Sequence, residues 1–197
     1  MIVNKVGRPS KARERRDSIL LAMATVVARE GLAETTVAKV ADEAGLQRTL
    51  VFHYFGDRES LMDAFIDQIV STYGDLQILG DSTRSIEERL DHAFGPGHYA
   101  GREGLVVWTE LVALAARDAR MRDRLLGLWR DRWLPMIERE IQNARPQATT
   151  AQTGEVAYGI ACLVEAHWSF HLQGLDSPLR RQQSRANVRT LLGSLPL

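Results

Sequence analysis

Apolar residues recur at three- and four-residue intervals along almost the whole of this chain. A pattern of that period can be buried only by α-helices packed on one another. In the first twenty residues after Ser10, Ile19, Met23, Val26 and Val27 form one stripe, and Gly31, able to take a left-handed C-cap conformation, ends it. Thr35 or Thr36 then caps a second helix with Val37, Val40, Ala41 and Ala44 on one face, broken at Gly45. A third short helix is expected over 47–55. Gly56-Asp57 forms a turn, and 58–73 is a fourth helix with Leu61, Met62, Phe65 and Ile69 inward.

The same period continues to the end. Residues 85–94 read as a short helix closed by Gly95-Pro96-Gly97, and 102–117 as one with Leu105, Trp108, Val112 and Ala115 on a face. A long helix over 119–144 should kink at Pro135, which lacks a donor and clashes with the preceding turn. Residues 145–150 form a loop. Residues 152–173 are apolar around most of the helix circumference, which predicts a buried helix, and 179–192 close the chain. No strand-like alternation, internal repeat or low-complexity tract competes with this pattern. The expectation is an all-α protein of about nine helices.

With 197 residues, 45% of them hydrophobic and 25% charged, the chain can bury a core without disulfide or metal staples. The longest nearly apolar run, Ile19 to Ala28, is far short of the roughly 20 residues that cross a bilayer. Lys5, Arg8 and Lys11 are followed by more charge, not by the apolar core of a signal peptide. A single cysteine, Cys162, admits no intramolecular disulfide, so a reducing cytoplasm is the expected compartment. The formal net charge of zero conceals an asymmetry. Residues 1–16 carry six basic side chains against Glu14, a net of +5, which leaves −5 for the rest. A basic arm on an acidic body either meets a polyanion or is a solvated tail.

Residues 36–55, TVAKVADEAGLQRTLVFHYF, satisfy the steric demands of a helix-turn-helix. Ala41 is small where two helices cross, and Gly45, four residues on, supplies a positive φ for the turn. Val40, Leu46, Val51 and Tyr54 fall where the core between the helices must be filled. Gln47, Arg48, Thr49 and His53 are then left facing outward, where a major groove could receive them. Taken alone, the Ala-x-x-x-Gly-hydrophobic element also suits a helical hairpin that binds nothing.

The wider stretch from Arg13 to Val70 resembles the tetracycline-repressor (TetR) family of transcriptional regulators. The resemblance is carried by Gly31-Leu32, Thr35-Thr36-Val37, Ala41-Asp42-Glu43-Ala44-Gly45-Leu46, His53-Tyr54-Phe55 and Arg58-Glu59-Ser60-Leu61. The later helices are loosely similar to the choline-responsive branch. The resemblance implies a homodimer. Its basic arm would be 1–12, its DNA-binding domain 13–73 with the helix-turn-helix at 36–55, and its ligand-binding and dimerisation domain 74–197. It further implies a repressor released from a palindromic double-stranded operator by a small molecule, in the cytoplasm and on the nucleoid. Thr36 would cap its helix against a phosphate; Gln47, Arg48, Thr49 and His53 would face base edges; Tyr54 would meet backbone or base, and Arg58 a phosphate. Phe52 stands where a phosphate-binding Tyr is usual, and Leu50 where a small residue is common, so a thymine methyl could be read by apolar contact. Gly7-Arg8-Pro9 is similar to extensions that enter the minor groove; the alternative is a tail that adds only salt-dependent affinity.

Other constellations give weaker signals. His167 and His171 share a helix face, but no third ligand is evident, so a dimer interface or pocket lining is expected and no metal. Cys162 is expected in the core, and neither a cofactor nor a catalytic motif is implied. Glu110 and Glu165 each interrupt an apolar helix. They face solvent or a partner, or they line a cavity with Trp108, Trp129, Trp133 and Trp168 that would suit a cationic or amphipathic ligand. The alternative function is a helical ligand-binding or protein-interaction module without DNA binding.

Overall fold

The computed structural model describes residues 11–75, 84–95 and 101–196. Arg8 and the rest of the arm up to Ser10 lie outside the described residues, as do Pro96 and Gly97. Ten α-helices follow in order: α1 (Lys11–Glu30), α2 (Val37–Glu43), α3 (Arg48–Phe55), α4 (Arg58–Asp75), α5 (Ile86–Ala93), α6 (Gly101–Ala115), α7 (Ala119–Leu128), α8 (Leu134–Ala144), α9 (Thr150–Leu172) and α10 (Pro178–Gly193). A π-turn, Trp129–Trp133, joins α7 to α8 without a break, so the described residues make nine separate helical rods and no strand. The chain separates into two compact units, Met1–Gln68 and Ile69–Leu197.

In the first unit the stripe on α1 is the core: Ile19, Met23, Val26 and Val27 are all buried, together with Val37, Val40 and Ala41 of α2. Thr36 caps α2 by accepting from the Lys39 N–H, and buried Thr35 donates its hydroxyl to the Gly31 carbonyl at 2.8 Å. After α2 the Leu46 N–H reaches back to the Ala41 carbonyl at 2.9 Å, a wrap that puts Gly45 at φ +64°. Val51 and Phe55 of α3 and Leu61, Phe65 and Ile66 of α4 complete the core. Leu46 and Tyr54, expected there, are only half-buried. Phe55 takes the place instead, because its position in the last turn of α3 points at α1 rather than outward.

The second unit is stitched by charge as well as packing. Ser85 and Glu88 form a reciprocal cap on α5. Buried Arg89 pairs with Glu140 of α8 at 2.8 Å, and Arg145 with Glu87 at 2.9 Å. The indole of Trp168 on α9 donates to the Ala93 carbonyl of α5 at 2.9 Å. Ile137 and Ile141 of α8 are buried where that helix packs on α9. At Gly159 of α9, an added Cβ would stand 3.2 Å from Leu191 Cδ1, so α10 comes close there.

Three expectations are corrected in this unit. The irregularity foreseen at Pro135 lies ahead of it: the Leu134 N–H donates to the Trp129 carbonyl five residues back, and this π-turn adapts the rod to Pro135, which has no N–H to donate. Val112 is exposed rather than inward, and Val107 and Leu111 do the packing on α6. The α9 helix is not buried all round, because Tyr158 (64% exposed), Cys162 and Phe170 lie on an open side.

The Gly45 turn gives a stability test. Alanine there has open space but must adopt a left-handed backbone, so Gly45→Ala should lower stability by about 1–2 kcal/mol. Gly193→Ala, also unobstructed and without positive φ at the end of α10, should be neutral or stabilising by up to about 1 kcal/mol. Urea unfolding of both variants checks the contrast.

Candidate functional site

The first candidate surface is built around α3. Its core-facing side chains, Val51 and Phe55, are four apart and buried, so the opposite face is turned away from the core. That face presents Arg48, Thr49 and His53, with Gln47 at the N-cap, and all four are exposed. Gln47 makes no capping bond with its side chain, which leaves the amide to the surface. Leu50, Phe52 and Tyr54 are half-buried at the margins. The Arg48 guanidinium lies 5.2 Å from the centroid of the Phe52 ring one turn on, within cation–π range. Phe52 thus supports Arg48, a use that the sequence alone did not suggest.

Thr36 and Arg58 flank this surface, and both are exposed. Thr36 sits at the N-terminus of α2 and Arg58 at that of α4, where the helix dipole favours an anion. At the α4 end, Asp57 accepts the Ser60 N–H at 2.7 Å, a bond that holds its carboxyl below the usual carboxylate range. Lys39 is bound to Glu30 at 2.7 Å and to the Glu34 carbonyl at 2.8 Å. Arg16, counted with the basic segment, is engaged with α3 rather than standing in solvent.

The second candidate is a cavity of about 520 Å³ in the second unit. Its wall is made by α6, α7, α8, α9 and the π-turn, and is almost wholly apolar, with Leu125, Leu126, Trp129 and Tyr158 prominent. Arg122 and Glu165 supply its charge. Cys162, expected in the core, is exposed and lines this cavity, because α9 presents to it the side that was read as buried. A smaller cavity of about 90 Å³ adjoins it, sharing Val112 and Glu165 and bounded by Trp108 and Trp168.

The six residues expected to line a pocket are therefore divided. Trp129 and Glu165 line the large cavity; Trp108, Trp168 and Glu165 line the small one. The Trp108 indole donates to Glu165 Oε2 at 3.2 Å. Trp133 is buried behind them, its ring 5.3 Å from Trp108 and 4.6 Å from Trp129, and it lines neither cavity. Glu110 is half-buried and lines neither, because its position on α6 differs from that of Val112 and Thr109. Val112, Leu126 and Tyr158 were missed. Val112 reads as part of the inward face of its helix and Tyr158 as part of a helix buried all round, so neither is marked as lining, and Leu126 is one apolar position among several on 119–144.

His167 and His171 do not act as a pair. His167 is buried, with Nδ1 3.1 Å from the Ser184 hydroxyl, and His171 Nδ1 is 3.1 Å from Asp176, which also binds Arg181. Among the described residues no three His, Cys, Asp or Glu side chains are arranged to hold a metal ion. No described helix is long and apolar enough to cross a membrane.

Comparison with known proteins agrees with the geometry. Residues 19–65 match the family model described as bacterial regulatory proteins, tetR family. Over 191 residues the chain is 26% identical to the HTH-type transcriptional regulator BetI of Vibrio parahaemolyticus, covering 93% of this chain and 90% of that one. It is similar to a crystal structure described as a TetR-family transcriptional regulator from Rhodococcus sp., with a TM-score of 0.70, 26% identity, and coverage of 92% and 98% of the two chains. The fold also resembles that of a transcriptional regulator from Saccharomonospora viridis in complex with choline: TM-score 0.73, 19% identity, 91% and 96% coverage.

Burial pushes the His167 imidazole below its ordinary value of 6.5; nearby His171, Arg181 and Arg185 add to this and Asp176 opposes it. The folded protein therefore keeps His167 neutral while the unfolded chain takes up a proton near 6.5. Stability should fall as pH drops from about 6.5 toward the lowered folded value and level off below it. Urea midpoints between pH 7.5 and 5 test this: His167→Gln should flatten the decline, and an unchanged slope would show that His167 does not cause it.

Proposed function

We propose that this chain is a DNA-binding transcriptional regulator of the tetR family, a repressor that reads its operator through α3. The observation that carries this reading is the division of α3, with Val51 and Phe55 buried and Gln47, Arg48, Thr49 and His53 exposed together on an eight-residue helix. In this reading residues 13–73 form the DNA-reading domain, with the helix-turn-helix at 36–55, and 74–197 bind ligand and partner. Arg48, Gln47, Thr49 and His53 meet base edges; Tyr54 and Phe52 sit at the margin; Thr36 and Arg58 hold phosphates; Arg8 in the arm adds a further contact. The protein works in the cytoplasm, on the nucleoid.

A homodimer supplies two such helices. Phe170, Leu175 and Leu179, at the end of α9 and the start of α10, are each at least half exposed, an apolar surface that a second copy would cover. The large cavity takes the releasing ligand. Its apolar wall, with the Glu165 carboxylate beside the Trp108 and Trp168 indoles at one end, suits an amphipathic cation. The choline held by the S. viridis regulator is a small cation of that kind.

Two experiments test these assignments. Arg48→Ala should weaken binding to a duplex selected by the wild type and relax its sequence preference, since a good bidentate base contact carries about 1–3 kcal/mol of discrimination. Arg58→Ala should weaken binding uniformly and lower the salt slope by about one. If Arg48→Ala loses affinity equally on all sequences, Arg48 is a phosphate contact. For the cavity, tryptophan-fluorescence titration with alkyltrimethylammonium compounds is paired with duplex binding. Binding should weaken with Glu165→Gln and not with Glu110→Gln, and a coupling of about 1–3 kcal/mol would change DNA affinity roughly 5–150-fold. Tight quenching without any change in DNA affinity would remove the cavity from regulation.

A further inference from the structure

Arg16 sits half-buried on α1, apart in behaviour from the exposed Lys11, Arg13 and Arg15 around it. Its Nη1 donates to the backbone carbonyl of Tyr54, and its guanidinium carbon lies 4.2 Å from the centroid of the Phe55 ring. Both partners belong to the last turn of α3. The carbonyls of a last turn have no donor within the helix. That of Phe52 receives the Gly56 N–H at 2.7 Å, and that of Tyr54 receives Arg16. A cation at this end also complements the helix dipole.

The α3 helix has only two turns, and its inward side chains are Val51 and Phe55. These fix how deep it lies and restrain its direction weakly. Arg16 adds the directional restraint, since one planar group grips both a main-chain oxygen and a buried ring at the same end. We propose that Arg16 is a positioning residue that sets the aim of α3, and through it sequence discrimination, without touching DNA itself. The proposal rests on the reading of α3 as the DNA-contacting helix.

The test uses the full chain as wild type, Arg16→Gln and Arg16→Lys, each confirmed folded by circular dichroism. The probes are a duplex selected by the wild type from a random pool and a random-sequence duplex of equal length, titrated over a salt series. With Arg16→Gln the ratio of selected to random affinity should fall about tenfold or more, the size of one lost base contact, while the salt slope on the random duplex stays at the wild-type value. Arg16→Lys keeps the charge but loses the planar fork, so its ratio should also fall with the slope intact. A slope reduced by about one in Arg16→Gln, with both duplexes weakened equally and Arg16→Lys like wild type, would make Arg16 a phosphate contact and overturn the proposal. An unchanged ratio in both variants would overturn it too. A wild type with neither discrimination nor salt slope would overturn the DNA-binding reading itself, and Arg16's role with it.

Discussion

An eight-residue helix is too short to hold itself in water, so α3 takes both its existence and its direction from what it packs against. Val51 and Phe55 anchor it from below, the Gly45 turn delivers it from α2, and Arg16 closes its last turn. Burying one side is what exposes the other. Gln47, Arg48, Thr49 and His53 are exposed together because the helical period leaves them no place in the core. The chemistry of the surface is thus a consequence of packing beneath it, and a loss of packing should be felt first as a loss of discrimination.

The second unit solves a different problem. It must stay folded while leaving an apolar cavity of roughly 520 Å³ open at its surface, so that Val112, Leu126 and Tyr158 stay exposed to water. The compensation lies away from that opening: Ile137, Ile141, Val156 and Ile160 are tightly buried, and Arg89–Glu140, Arg145–Glu87 and Trp168–Ala93 tie the helices around them. The π-turn at Trp129–Trp133 belongs to the same arrangement. It admits Pro135 and brings Trp129 to the cavity wall, with Trp133 packed edge-to-face against it. An apolar ligand seated in the cavity would take Val112, Leu126 and Tyr158 out of water, a gain that exists only while the cavity is occupied.

Helix order and the outward face of α3 were legible in the sequence, because period, caps and glycine stops are local properties. Thr36, Gly45 and the Ile19–Val27 stripe required no knowledge of distant residues. The errors arose where a residue's surroundings come from far along the chain. Glu110 and Glu165 are equivalent interruptions of apolar helices, yet only Glu165 reaches the cavities, since that depends on how α6 and α9 meet. Cys162 and the helix that carries it look like core because an apolar helix is equated with a buried one, which overlooks a face that lines an open cavity. Arg16 enters the sequence reading only in the basic count of residues 1–16; its partner, the Tyr54 carbonyl, is a backbone atom 38 residues away and leaves no trace in composition.

The central claim is that the exposed face of α3 reads DNA sequence, twice over, in a symmetric pair. Selection from a pool of random duplexes by the full-length protein, with gel-shift separation and sequencing of what is retained, tests it most directly. The account predicts enrichment of a near-palindrome whose half-sites are centred about one helical turn apart or a multiple of that, roughly 34–36 Å per turn. A pool that stays random through successive rounds, bound with an affinity that does not change with salt, would contradict it.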